Sequence, residues 1–273
     1  MQFNFATRFV ATLVLSLAVV IGGGSVCATT YSTDHSDLWW VSSESGWGLQ
    51  LTQRANVIFA TMYVYDTQNN PAWYTATLES VPGSSDWRGD LYLTRGPWYG
   101  APAFDPTAVG YRKVGQMTVS GNAVEQAQLA YSIDGVAVNK TITRQTLRYE
   151  NFAGNYSGVA KMGFCTASVN LSSIIFYPYL TVTQGANELV VKTKMYVFQN
   201  GGTPDCTLTG DYAQFGQYGR SQGTFTCTDG SHGTHTFSEM TVQRVGAHTI
   251  ASTELNARES SGCTFRGTIT GML

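Results

Sequence analysis

The chain has little charge. Asp, Glu, Lys and Arg together make up 12% of its 273 residues, about half the share usual in a soluble protein. No basic block or stripe interrupts the sequence, so the electrostatic footprint of a nucleic-acid binder is missing. No acidic tail exists either, and the formal net charge is −2. Beyond the N-terminal segment no long stretch holds a helical period, which excludes a helical bundle. Tryptophan is absent after Trp98, and cysteine is absent between Cys27 and Cys165. His-Glu-x-x-His is also missing, which removes the commonest zinc-protease signature.

The N-terminus carries one charge, Arg8, before an apolar run from Phe9 to Ile21 that ends at Gly22-Gly23-Gly24. Val26 and Ala28 supply small residues around a cleavage point after Ala28. This is the layout of a secretory signal peptide over residues 1–28. The run is shorter than the roughly 20 residues that cross a membrane as a helix. The rival reading is a lipoprotein acylated at Cys27, for which Val26 is a poor neighbour. Cleavage leaves Cys165, Cys206, Cys227 and Cys263, an even number that reads as two disulfides in an exported chain. No pair has zinc-knuckle spacing, so no metal or other cofactor is expected on these cysteines.

The rest reads as strand, turn, strand. Leu49 to Gln53, Val57 to Tyr65 and Ala72 to Leu78 form a meander around the polar turn 66–71, continued by Asp90 to Thr94, Gly115 to Ser120, Glu125 to Ile133 and Val136 to Leu147. Asp134-Gly135 between two alternating runs is a hairpin signal. Leu180 to Gln184, Glu188 to Phe198, Cys206 to Tyr212, Gly223 to Thr228, His235 to Gln243, His248 to Asn256 and Thr264 to Thr270 follow the same scheme, after an extra leading segment from Tyr156 to Ile175.

The second series repeats the first. Thr52-Gln53-Arg54-Ala55-Asn56 returns as Thr183-Gln184-Gly185-Ala186-Asn187, Met62-Tyr63-Val64-Tyr65 as Met195-Tyr196-Val197-Phe198, and Pro71 as Pro204. Gly89-Asp90-Leu91 returns as Gly223-Thr224-Phe225, Met117-Thr118-Val119 as Met240-Thr241-Val242, and Thr141-Ile142-Thr143 as Thr268-Ile269-Thr270. The order is kept and the offset stays between 123 and 134 residues. The expected fold is therefore all-β: two tandem antiparallel β-barrel domains over residues 36–150 and 151–273, related by internal duplication. Closure into barrels removes the strand edges that invite aggregation.

The alignment sets Trp73 against Cys206 and Leu93 against Cys227. It suggests that indole packing stabilises one copy and disulfides the other. Four cysteines allow three pairings. On the repeat alignment the expected pairs are Cys206–Cys227, across neighbouring strands, and Cys165–Cys263, joining first strand to last.

Trp39-Trp40-Val41-Ser42-Ser43-Glu44-Ser45-Gly46-Trp47-Gly48 resembles a W-W-x-x-x-E-S-G-W-G stretch found in many exported, generally uncharacterised proteobacterial proteins. The resemblance runs through Gln53, Phe59-Ala60-Thr61, Pro71 with Trp73, Gly96-Pro97, Phe104-Asp105-Pro106 and Thr143-Arg144-Gln145, and covers the first half. It implies an exported bacterial protein, periplasmic or secreted, and brings no activity with it. Trp47 on the first strand and Arg144 on the last resemble the Trp–Arg plug that closes one end of lipocalin-like barrels, a fold shape shared with avidin-like ones, through stacking of guanidinium on indole.

The remaining aromatic residues are candidates for binding. Trp39, Trp40, Trp87, Trp98 and Tyr99, with Glu44 beside them, lie near predicted loops or termini, where exposed aromatics mark recognition surfaces. Their partner would be a glycan, a small apolar ligand or another envelope protein. His232 and His235 could meet at one metal with Asp229 or Glu239, but a polar hairpin tip accounts for them as well, and no metal is expected. No catalytic residue is assigned. The expected function is an exported, non-catalytic binding protein that does not span the membrane, with a structural envelope protein and an extracytoplasmic hydrolase as the alternatives.

Overall fold

The computed structural model describes residues 33–121, 123–166, 169–194 and 204–273, with the backbone alone for 162–178. The proposed leader, residues 1–28, lies outside them. Eight antiparallel strands close the first barrel: β1 (Asp37–Trp40), β2 (Gly48–Arg54), β3 (Val57–Tyr65), β4 (Pro71–Ser80), β5 (Asp86–Arg95), β6 (Gly110–Ser120), β7 (Gln126–Ile133) and β8 (Val136–Arg144). Eight more close the second: β9 (Gly154–Thr166), β10 (Val169–Gln184), β11 (Glu188–Lys194), β12 (Asp205–Phe215), β13 (Tyr218–Cys227), β14 (His232–Val245), β15 (His248–Glu259) and β16 (Thr264–Met272). The all-β, tandem-barrel expectation is thus met.

Period-two alternation drives each wall. On β3, Ile58, Ala60 and Met62 are buried inside while Phe59 and Tyr63 face out. The Asp134-Gly135 hairpin forms with positive φ at both residues, 48° and 88°, and joins Ile133 to Val136. Two elements differ from the sequence reading. Strand β1 is only four residues long, too short for its alternation to register. The segment read as one leader to the second domain is a hairpin of two long strands, β9 and β10, paired from Thr166 and Val169 outward.

The repeat maps strand on strand, β1 to β9 through β8 to β16, but its register needs two corrections. Trp73 does not occupy the place of Cys206. Trp73 faces solvent, whereas Cys206 is buried; the inward residue of the first barrel is Tyr74, opposite Leu93 as Cys206 is opposite Cys227. A one-residue slip along a strand exchanges the faces, and sequence alignment alone cannot see it. Nor does Met240 occupy the place of Met117. Met117 pairs with Gly89, and the matching Gly223 pairs with His235. The shift follows from the longer β14, which carries a register irregularity at Ser238/Thr241.

The expected disulfide between Cys206 and Cys227 forms, across directly paired residues. Cys263 is also disulfide-bonded. The expected partner, Cys165, has its side chain outside the described residues; the β9–β16 register sets Phe164 opposite Phe265.

His235 thus fills the position of a core methionine. It is 2% exposed, packs 5.1 Å from the Phe237 ring, and neither ring nitrogen has a partner at hydrogen-bonding geometry. Burial outweighs the nearby Thr224 backbone and Asp211 and pushes its pKa from 6.5 down to about 4. A depressed histidine pKa means that the unfolded chain takes up a proton first as pH falls. Stability is therefore lost as pH drops from 6.5 towards about 4. His235→Met should flatten this acid-side loss and raise the melting temperature at pH 5, as followed by calorimetry across that window; an unchanged pH profile would contradict the assignment.

Candidate functional site

The end of the first barrel where β1 begins and β8 stops is closed by a stack of side chains. Trp39, opposite Arg144 in the β1–β8 pairing, is 1% exposed, and its indole Nε1 donates to the His35 carbonyl at 2.9 Å. The Arg144 guanidinium carbon lies 4.5 Å from the centre of the Trp39 ring. Its nitrogens donate to the carbonyls of Val124 at 2.7 Å, Asp34 at 2.6 Å and Ser36 at 3.1 Å, and to the Asp37 carboxylate at 3.3 Å. Burial opposes the charge, and Asp37 supports it.

The plug therefore exists, but with Trp39 rather than Trp47 as its indole. The reason is the β1 strand: Trp47 lies in the β1–β2 connection, at the opposite end of the barrel from Arg144. There Lys140 Nζ sits 5.3 Å from the Trp47 ring centre, Trp47 Nε1 donates to Glu44 at 2.8 Å, and Lys140 donates to the same carboxylate at 2.6 Å. These bonds hold the Glu44 carboxyl below its usual range.

Arg144 also meets the second barrel. The Tyr218 ring centre lies 4.8 Å from its guanidinium carbon. Tyr218 follows the β12–β13 turn, in which Gly216 has φ +58° and a side chain would overlap the Asp37 carboxylate. Gln217 donates from its backbone to Asp37 at 2.9 Å and from its side chain to the Ser36 carbonyl at 2.6 Å. Arg220 and Glu125 add an ion pair at 2.9 Å.

The matching end of the second barrel closes with different residues in the same arrangement. Tyr156 replaces Trp39 and donates its hydroxyl to the Phe152 carbonyl, four residues back, at 2.9 Å. This repeats the Trp39–His35 bond. Gly271 lies against Tyr156 where Arg144 would stand, and Phe152 packs edge-on against Tyr212 at 6.0 Å.

The other predicted positions divide. Trp87 is buried in the first core at 4% exposure and packs against His35 at 6.1 Å, so neither Trp39 nor Trp87 offers a binding face; both are needed to fill the barrel. Trp40 is half-buried. Trp98 and Tyr99 are exposed, 69% and 92%, in the β5–β6 connection, with ring centres 5.8 Å apart. Phe59, Tyr63, Tyr65, Trp73, Phe104 and Tyr111 are also exposed. His232 and His235 do not converge: neighbours three apart on a strand point to opposite faces, and His232 is exposed while His235 is buried. No metal-ligand group occurs among the described residues.

Sequence reasoning missed a hollow in the second barrel. At the far end of the second barrel from Tyr156, a cavity of about 600 Å³ is lined by Leu180, Val191, Leu208, Phe225, Phe237, Leu255 and Ile269, with Asp229, Ser231 and Glu259 among the other lining residues. Its origin lies in the duplicated register. At this level the first barrel is filled by Tyr74, Leu93, Tyr131 and Ile133. The strand pairings set Cys206, Cys227, Ala257 and Glu259 in their places. Two tyrosines and two aliphatic chains become two cysteines, an alanine and a glutamate, and the space they would fill stays open. A signal was present in the sequence, but only the correct register makes it readable.

No family model matches the chain, and no curated protein matches it.

Arg144→Met should cost about 3–5 kcal/mol, because it strands the Asp37 carboxylate and three carbonyls in a buried place. Lys140→Met, at the exposed Trp47 cluster, should leave the melting temperature nearly unchanged. Thermal denaturation of the two variants checks this, and equal effects would mean that Arg144 is not the plug.

Proposed function

We propose that the protein is an exported, non-catalytic binding protein of the bacterial envelope or extracellular space, and that its second barrel takes up a small apolar ligand. The single observation behind this reading is the cavity of about 600 Å³, within the range of sites that enclose small molecules. One end of that barrel is closed by Phe152, Tyr156 and Tyr212, so a ligand would enter from the end formed by the Asp229-Gly230-Ser231 hairpin. This moves the binding role from the tryptophan-rich first domain, where the sequence suggested it, to the second.

Export is supported by the leader-like residues 1–28, by the resemblance of residues 39–48 to exported proteobacterial proteins, and by the Cys206–Cys227 disulfide, a bond that persists in oxidising compartments. The walls support a barrel in water rather than in a bilayer. Their interiors are apolar, and outward positions such as Gln50, Gln126 and Gln128 are polar, the reverse of a lipid-facing surface. No helix among the described residues is long and apolar enough to cross a membrane.

A second reading, an interaction protein of the envelope, is favoured by one observation. Eight exposed aromatic residues lie on β3 to β6 and their connections: Phe59, Tyr63, Tyr65, Trp73, Trp98, Tyr99, Phe104 and Tyr111, with Tyr63 paired to Trp73 and Trp98 beside Tyr99. Such a patch suits contact with a protein or glycan surface. The hydrolase alternative gains no comparable support, since Glu44 is held as an exposed carboxylate by Lys140 and Trp47.

Phenylnaphthylamine, an uncharged apolar dye, should bind with one site per chain and brighten on titration. Ala257→Phe, which fills the cavity, should abolish the signal without loss of the folded circular-dichroism spectrum. No brightening, or brightening that survives the substitution, would contradict the cavity reading.

A further inference from the structure

We infer that the second-barrel cavity selects cationic amphiphiles: ligands with an apolar body and an ammonium-type head. This rests on the cavity reading above and adds the charge of the ligand to it.

The residues lining the cavity include two carboxylates, Asp229 and Glu259, and no lysine or arginine. Both belong to the open end: Asp229 lies in the β13–β14 turn and Glu259 ends β15. Among the described residues no cation pairs with either. Asp229 accepts from the Ser231 backbone and hydroxyl, and Glu259 accepts from the Ser261 hydroxyl at 3.0 Å. The Ser231 bonds hold the Asp229 carboxyl below its usual range, so it stays ionised near neutrality.

The cations at this end of the barrel are turned away or already committed. Lys194 pairs with Asp205 at 3.6 Å. Arg258 and Arg266 alternate with the cavity-lining Ala257, Glu259 and Phe265, so strand geometry points them outward, and both are exposed. Within the second domain, the segments whose side chains are not described, 162–178 and 195–203, contain no charged residue in their sequence. They can therefore supply no cation to the opening.

An apolar chamber under a doubly negative mouth repels a fatty carboxylate or a phosphate ester. It attracts a head group of the opposite sign, and at a half-sheltered position the attraction is several times stronger than in bulk water. Charge complementarity of this kind decides which of several equally apolar ligands is retained.

The test uses three chains of equal length on the full protein: dodecyltrimethylammonium, dodecanol and dodecanoate, each below its micelle concentration, titrated by calorimetry. The expected order is cation, alcohol, carboxylate, with the cation at least about tenfold tighter than the alcohol at low salt and the gap narrowing as salt rises. Asp229→Asn with Glu259→Gln keeps acceptors for Ser231 and Ser261. It should bring cation and alcohol within about threefold of each other while leaving alcohol binding unchanged. Alcohol binding that equals or exceeds cation binding overturns the charge inference and leaves the cavity reading standing, as does a cation preference that survives the double substitution. Failure of all three ligands overturns both. Ala257→Phe, checked for an intact melting transition, should remove binding of every ligand; cation binding that persists in it would place the site elsewhere and overturn the inference.

Discussion

The structure depends on one buried cation. Arg144 ends the last strand of the first barrel and lies against Trp39, whose own strand has only four residues. A strand so short makes few ladder bonds, and without the guanidinium the β1–β8 seam would rest on two residue pairs. Arg144 adds bonds to Asp34 and Ser36 on the approach to β1, to Asp37 at its start, and to Val124 before β7. It also presents its guanidinium to Tyr218 of the second barrel. Barrel closure and barrel contact thus share one residue. Breaking a satisfied buried charge is far more damaging than losing an exposed ion pair, so this position tolerates little change.

Duplication then explains the difference between the halves. Each barrel closes one end with an aromatic residue that bonds to a carbonyl four residues back, Trp39 to His35 and Tyr156 to Phe152. The other end has diverged. Large side chains fill it in the first barrel, and small ones leave it open in the second. A cavity costs stability because its lining loses dispersion contacts. The Cys206–Cys227 bridge stands in the wall of that cavity, where a covalent link between neighbouring strands offsets part of the loss. The halves thereby differ in build: the first is filled and carries exposed aromatic residues on its outer face, and the second holds the cavity.

Much of this was legible in the sequence. Alternation placed nearly every strand, because Val57–Tyr65 and its kin have one dry and one wet face. The order of the repeats gave two barrels, and the alignment paired Cys206 with Cys227. What failed was register. Trp73 stands one residue from Tyr74, and a sequence match cannot tell which of the two points inward. The irregularity in β14 moved His235, not Met240, into the place of Met117. The sequence carries the Trp–Arg stack but does not show that Trp39 rather than Trp47 is its indole, because the four residues of β1 are too few to show a period. The cavity escaped notice because it arises from what four positions lack, and those positions can be named only once the pairings are known.

The central claim is that the far end of the second barrel is hollow where the first is filled. A crystal of the protein under xenon pressure tests this without knowledge of the natural ligand, since apolar cavities take up the gas. The account predicts xenon between Leu208, Phe225 and Leu255, and none between Tyr74, Leu93 and Tyr131. A second barrel collapsed onto itself with no xenon, or equal uptake in both barrels, would contradict it.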